Sequence, residues 1–208
     1  MRGEMKLKLP AGPFKAYLFD CDGTIVDSMP LHYLAWKQAL AEWNCEFPED
    51  LFYSWGGTPV REIVANLNAR NGLAIPTEQL ARRKEGLYFD SLPRLQAVPE
   101  VLEVIEQNWA LGAARLPMGV VSGSTRESVT KSLELLGLMD RFDTLVCAGD
   151  YARSKPDPDP FLTAAARLKV APADCLVFED TDMGVQAATA AGMASIKILQ
   201  PWERKLAG

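Results

Sequence analysis

Residues 19–28 read FDCDGTIVDS. Asp20 and Asp22 flank Cys21 directly after the apolar run Tyr17–Phe19, and Asp27 follows five residues later. Two carboxylates one residue apart, where a buried strand ends, repel each other, and each is costly to remove from water. A divalent cation or a reaction that uses the charge offsets that cost. The stretch therefore marks both the end of a strand and a candidate site.

Four more apolar runs lie downstream: Met118–Val121, TLVCAGD (144–150), CLVFED (175–180) and ASIKIL (194–199). They are short and nearly continuous instead of alternating, the pattern of parallel strands covered on both faces. Helical periods separate them. Val98, Val101, Leu102, Ile105 and Trp109 share a face. Ser124 and Glu127 have the spacing of a capping box that opens a helix running to Gly137. Asp159 reads as an N-cap with Pro160 at the first helical position, and Phe161, Ala165 and Leu168 continue that face. In DMGVQAATAAG (182–192), Asp182 reads as an N-cap and Gly192 as the C-terminal glycine. Strands alternating with helices predict an α/β fold, a Rossmann-like three-layer parallel-sheet core.

Residues 29–96 break the alternation. Tyr33, Trp36, Leu40 and Trp43 share one helical face; Val60, Ile63, Val64 and Leu67 share another; a third helical pattern runs from Thr77 towards Leu92. No strand is readable there. The expected organisation is a core from 14–28 and 97–208, a small helical cap domain at 29–96 inserted after the first strand, and an N-terminal extension at 1–13. The connections near Asp27–Pro30 and Val98–Pro99 are the expected hinges, whose closing excludes water from the acids.

Composition narrows the function. The 208 residues carry 27 acids against 22 bases, a net charge of -5, with no basic run. That argues against nucleic acid as a partner. No apolar stretch reaches the roughly 20 residues that cross a bilayer, and the N-terminus does not read as a secretory signal. Cys21, Cys45, Cys147 and Cys175 are scattered without a CxxC pair, as expected for free thiols in a cytoplasmic protein. Cys21 reads as a small filler between the acids, its thiol leaving oxidation open. A monomer is the expectation.

In open parallel sheets, sites form at the carboxyl ends of the strands. Those ends carry Asp20 and Asp22, then Ser122, then Lys155 in SKPDPDP, then Glu179 and Asp180. Each has a bland alternative: a solvated turn for the aspartates, a helix start for Glu179 and Asp180, a cap for Ser122 and a surface loop for Lys155. If the ends converge, an oxygen-rich cluster with one ammonium and one hydroxyl results. Its chemistry suits Mg²⁺ held by Asp20, Asp22, Glu179 and Asp180; a single histidine and unpaired cysteines do not suit zinc. A carboxylate in such a place serves as a nucleophile. Backbone N–H groups around Gly23 and Gly123, with the Ser122 hydroxyl, would receive phosphoryl oxygens.

The ordered set DCDGT, VSGS, SKPDPDPF and FEDTDMGVQAA resembles the four motifs of the haloacid dehalogenase superfamily, and the insert resembles the cap of its β-phosphoglucomutase-like branch. The resemblance covers nearly the whole chain after residue 14. It implies Asp20 as nucleophile, Asp22 as general acid/base, Ser122 and Lys155 as phosphate-binding residues, and Glu179 with Asp180 as magnesium acids. An aspartate at the Asp22 position implies phosphoryl transfer instead of dehalogenation. In the cap, LHYLAWK resembles the segment whose histidine and tryptophan face substrate, which implies His32 and Trp36; core packing is the alternative for both. Gly56-Gly57 and Arg61 resemble the loop that selects substrate, and Lys84 matches a cap lysine.

The implied activity is a Mg²⁺-dependent phosphatase acting on a sugar phosphate through an aspartyl-phosphate. β-Phosphoglucomutase is the alternative, although Thr125 and Arg126 stand where the mutases carry a lysine and an asparagine. A non-catalytic sugar-phosphate sensor is disfavoured, because every catalytic position is occupied.

Overall fold

The computed structural model describes residues 7–56 and 58–200. The chain falls into two compact units, one made of Ser28–Leu95 and the other of the chain on either side, through Asp27 and from Gln96.

The larger unit is built on five strands, β1 (Ala16–Phe19), β2 (Met118–Val121), β3 (Thr144–Val146), β4 (Cys175–Glu179) and β5 (Ala194–Lys197). They form one all-parallel sheet in the order β3-β2-β1-β4-β5. All five apolar runs of the sequence become strands. The period of two sends alternate residues to opposite faces. Leu18 and Val177 join Phe161, Ala164, Ala187 and Ala188 in the core on one face, beneath α7 (Asp159–Leu168) and α8 (Asp182–Ala190). Tyr17, Phe19 and Phe178 form an aromatic cluster, with Phe19 and Phe178 stacked at 4.4 Å and Phe142 edge-on to Phe19. Each fully buried large side chain is worth about 1.5–3 kcal/mol, so this short sheet rests on its two covered faces.

The remaining helices of this unit are α5 (Pro99–Trp109) and α6 (Arg126–Leu135). Three helix starts differ from the sequence reading. Helix α6 is capped by Thr125, whose hydroxyl accepts from Ser128 N, and not by Ser124. The Ser124 hydroxyl is instead spent on Asp22. Helix α8 is capped by Thr181, which accepts from Gly184 N; Asp182 is its first helical residue and pairs with Lys197 on the surface. In α6 and α8 a threonine one residue from the expected position supplies the acceptor. The third start is one residue early: Pro158 precedes α7, so Asp159 is its first residue and not its N-cap, Pro160 is its second, and Asp157 accepts from Asp159 N. Gly137 and Gly192 take positive φ after α6 and α8, the conformation that ends a helix without a Cβ clash.

The start of β2 is fixed by polar side chains. The Asn108 amide brackets the Leu116 backbone, donating to its carbonyl and accepting from its N–H. Asp143 accepts from Met118 N while Arg115 grips it bidentately at 2.7 and 2.8 Å.

The smaller unit contains α1 (Met29–Ala41), α2 (Glu49–Ser54), α3 (Val60–Asn71) and α4 (Thr77–Ser91). Three helical patterns were readable in the sequence; α2 is a fourth, too short to show a full period. Trp36, Leu40, Phe47, Phe52, Val64, Leu67 and Leu80 form its apolar core. No helix among the described residues is long and apolar enough to cross a membrane. All four cysteines are free and buried.

Candidate active site

Strand β1 stops because its next residue is an acid, yet the ladder runs one step further, with Asp20 N donating to Phe178 O at 2.9 Å. The chain then turns tightly. Cys21 O accepts from the N–H groups of Thr24, Ile25 and Val26, and Gly23 N donates to Val26 O. Gly23 takes φ +84°, and a Cβ there would strike the Asp180 carboxylate, so both backbone and space require glycine. Asp27 N donates to Gln96 O and Val98 N to Ile25 O, which joins the chain leaving this turn to the chain returning before α5.

Because β1 and β4 are neighbours where the winding of the sheet reverses, their carboxyl ends form the crevice expected of this topology. Asp20, Glu179 and Asp180 are all buried there, each offering a carboxylate oxygen within 4.8 Å of the others. Lys155 reaches in from the loop after β3. Its Nζ donates to Asp20 Oδ1 and Glu179 Oε1, both at 2.6 Å, and to Val121 O at 3.0 Å. Both Glu179 oxygens are engaged, since Oε2 accepts from Thr181 N and from the Thr181 hydroxyl. That carboxylate lies against Gly184, where any Cβ would collide with it. The glycine of EDTDMG is therefore part of the site's packing.

Burial dominates the electrostatics. It pushes the Asp20 carboxyl up to about 8, against the pull of Lys155 and with a further push from Glu179 and Asp22. Asp180 is raised well above the usual carboxylate range by burial and by Asp20 and Glu179. Lys155 is held charged: burial opposes the charge, but Asp20 and Glu179 outweigh it. Three buried acids around one ammonium cannot all ionise without a further positive charge. That is the condition a hard divalent cation relieves, and an all-oxygen donor set is what Mg²⁺ takes. The residues therefore fit a magnesium ion.

Asp22 stands apart from that trio. Ser124 Oγ donates to its Oδ2 at 2.6 Å, turning the carboxylate towards the loop after β2. The sequence reading grouped Asp22 with the metal acids; its carboxylate is not among the three that share a ligand-sized space. Ser122 is buried at the end of β2 and its hydroxyl accepts from Ser124 N. Gly123 is exposed, and a Cβ there would meet nothing. Cys21 is buried, and desolvation with Asp22 and Asp20 alongside drives its thiol far above the ordinary range. It is the small buried filler that the sequence suggests, its thiol favoured in the neutral form.

The family model of haloacid dehalogenase-like hydrolases matches residues 17–198. The chain belongs to that family. As a haloacid dehalogenase-like hydrolase it is an enzyme. It is 34% identical over 189 residues to the fructose-1-phosphate phosphatase YqaB of Escherichia coli, covering 89% of this chain and 96% of that one. It is 31% identical to the β-phosphoglucomutase of Bacillus subtilis, over 89% and 84% of the two chains. The fold superposes on a β-phosphoglucomutase structure from Clostridium difficile with a TM-score of 0.78 at 23% identity, over 92% and 87% of the chains.

The other sequence-predicted residues of this hydrolase lie in the smaller unit. His32 is buried and stacks on the buried Tyr88 at 3.9 Å. Lys84 is also buried, with Nζ 5.4 Å from the centre of that tyrosine ring and 3.5 Å from Glu85. Trp36, 3% exposed, packs edge-on against Phe47 in the apolar core, which is the packing member of its two readings. Arg61 is exposed in the first turn of α3. Gly57 lies outside the described residues. Sequence reasoning missed Thr24, Ser124 and Gln200. Thr24 Oγ1 lies 3.3 Å from Asp180 Oδ1, and Gln200 Nε2 lies 3.0 Å from Oδ2. The threonine sat within DCDGT and was legible as part of that motif; a single glutamine past the last strand carried no signal.

Proposed function

We propose that the protein is a Mg²⁺-dependent phosphatase of a small phosphorylated metabolite, a sugar phosphate, working through an aspartyl-phosphate on Asp20. The observation that carries this reading is the buried trio Asp20, Glu179 and Asp180 around Lys155, with a second aspartate two residues after the first. The named activities of the relatives from Escherichia coli and Bacillus subtilis support it.

Asp20 attacks phosphorus, and the bond from phosphorus to the departing alcohol oxygen breaks. Asp22, as a carboxylic acid, gives its proton to that oxygen. The resulting Asp22 carboxylate takes a proton from water, whose oxygen attacks phosphorus. The bond to Asp20 breaks, and inorganic phosphate leaves with both aspartates restored. Lys155 binds phosphoryl oxygen and orients Asp20 through Oδ1, while Ser122 and the backbone N–H groups near Gly23 and Gly123 receive the remaining oxygens. Asp20 and Asp180 would hold the ion, with Glu179 keeping Lys155 in place. When bound, the cation neutralises charge between Asp20 and the phosphate dianion. Selection among substrates falls to His32, Lys84, Arg61 and the Gly57 loop.

Hydrolysis is favoured over the mutase alternative by Arg126. Its guanidinium donates to Leu145 O and pairs with Asp150, so it is committed to the end of β3. A mutase needs a second phosphate site, and of Arg61, Lys84 and Arg126, the three candidates to supply it, this arginine is already engaged. Supplying β-glucose 1-phosphate with Mg²⁺ and a trace of the bisphosphate separates the two. Free phosphate is the expected product; glucose 6-phosphate would establish the mutase. No release of phosphate from any member of a phosphometabolite panel, together with no glucose 6-phosphate from β-glucose 1-phosphate, would overturn both.

A further inference from the structure

We infer that Gln200 is a positioning residue of the metal site, its side-chain amide holding the Asp180 carboxylate ready for a divalent cation by tying it to the Gly23 turn. The inference rests on the metal reading given above and adds to it a residue beyond the segment that the family model matches.

The chain brings Gln200 there by a backbone device. Strands β4 and β5 pair as far as Glu179 and Lys197, and Ile198 N then donates to Glu179 O at 2.7 Å, carrying the chain alongside the carboxyl end of β4. Two residues on, Gln200 is 5% exposed. Its Nε2 donates to Gly23 O at 2.7 Å and to Asp180 Oδ2 at 3.0 Å. A backbone carbonyl and a carboxylate are both acceptors, so the amide must present its NH₂ to them; the hydrogen-bond network fixes which way it points. The two protons of one nitrogen thus join the turn after β1 to the acid after β4. Gly23 has no room for a Cβ against the same carboxylate, so the three groups are already in contact.

The chemistry of the donor matters as much as its place. Glu179 is gripped by the ammonium of Lys155 and so is neutralised from within the protein. Asp180 is held by neutral groups, the Gln200 amide on one oxygen and the Thr24 hydroxyl on the other. A neutral donor orients the carboxyl group without placing a positive charge of its own where a cation would bind. A carboxylate ligand left to rotate must lose that freedom on binding. Groups that orient ligands in this way are worth about ten- to a hundredfold in metal affinity.

The test uses the full chain, freed of metal by a chelator, with Mn²⁺ titrated calorimetrically as the probe. Gln200→Met keeps length and volume but removes both donors; Gln200→Ala is the second variant and leaves room for water. Melting in chelator reads the fold alone. Variants that remain folded in chelator but bind Mn²⁺ about tenfold more weakly, with phosphatase activity recovered by raising Mg²⁺, are the expected result. Wild-type Mn²⁺ affinity in either folded variant would overturn the inference. Loss of the fold in both variants would overturn it too, because Gln200 would then be a structural residue. Failure of the wild type itself to bind Mn²⁺ would remove the metal reading, a different and distinguishable outcome.

Discussion

The two units of this hydrolase hold their polar residues in different ways. In the larger unit, Asp20, Lys155, Glu179 and Asp180 are buried and joined by short hydrogen bonds between groups far apart in the chain. In the smaller unit, the charged residues singled out from the sequence are either exposed, as Arg61 is, or folded against its own aromatic groups, as His32 and Lys84 are around Tyr88. A preorganised cluster can perform one chemistry without rearranging. An exposed residue such as Arg61 can be exchanged without disturbing the packed group of His32, Lys84 and Tyr88. Under the proposed function, reaction type belongs to the first unit and substrate choice to the second.

The strongest way to break that division is at the nucleophile. Asp20→Asn is expected to lower kcat on every phosphoester by roughly ten-thousand-fold or more, with the fold retained by circular dichroism. Near-normal turnover by that variant would remove Asp20 from the reaction. Next in size is Trp36→Ala, which empties part of the apolar core of the smaller unit and is expected to cost about 3–5 kcal/mol of its stability. Urea melts would read that loss. A variant that stays fully stable but changes substrate preference would return Trp36 to a binding role.

Smaller effects sharpen the contrast. Arg61→Ala is expected to change kcat/KM for some members of a sugar-phosphate panel by about tenfold, roughly 1.4 kcal/mol, with Mn²⁺ affinity unaltered. An equal loss on all substrates together with weaker metal binding would contradict the division. The smallest expected effect lies away from both sites. The Arg115 hydrogen bonds and Met118 N hold the Asp143 carboxyl below its ordinary range. A depressed folded-state value gives stability that is present above the unfolded carboxylate range and lost as pH falls through the folded value. Asp143→Asn is therefore expected to cost about 1 kcal/mol at neutral pH and to flatten the acid arm of a stability-against-pH curve. An unchanged acid arm would show that the pair contributes nothing.

The sequence was most readable where a single residue type had one physical use. Continuous apolar runs became the five strands, and acids at their ends marked the crevice, because parallel topology brings those ends together. Readings slipped where two neighbours competed for one task. Ser124 and Thr125 both suit a helix cap; the threonine won, which released the serine to Asp22. Asp182 yielded to Thr181 in the same way. Trp36 shows another limit: helical spacing reveals that a residue faces inward but not whether a core or a ligand lies there. Gln200 was invisible because its partner Gly23 is 177 positions distant and local pattern holds no trace of such a pairing.

The hydrogen bonds from Asp27 to Gln96 and from Val98 to Ile25 clasp the chain at the point where it departs into residues 28–95 and the point where it comes back. A detour whose two ends are already fastened side by side imposes no demand on the sheet behind it. Its length, helix count and surface can be rewritten, or an unrelated excursion spliced in, without altering a single strand. Inheritance can therefore keep one reaction centre constant while sampling new specificities through a plug-in segment.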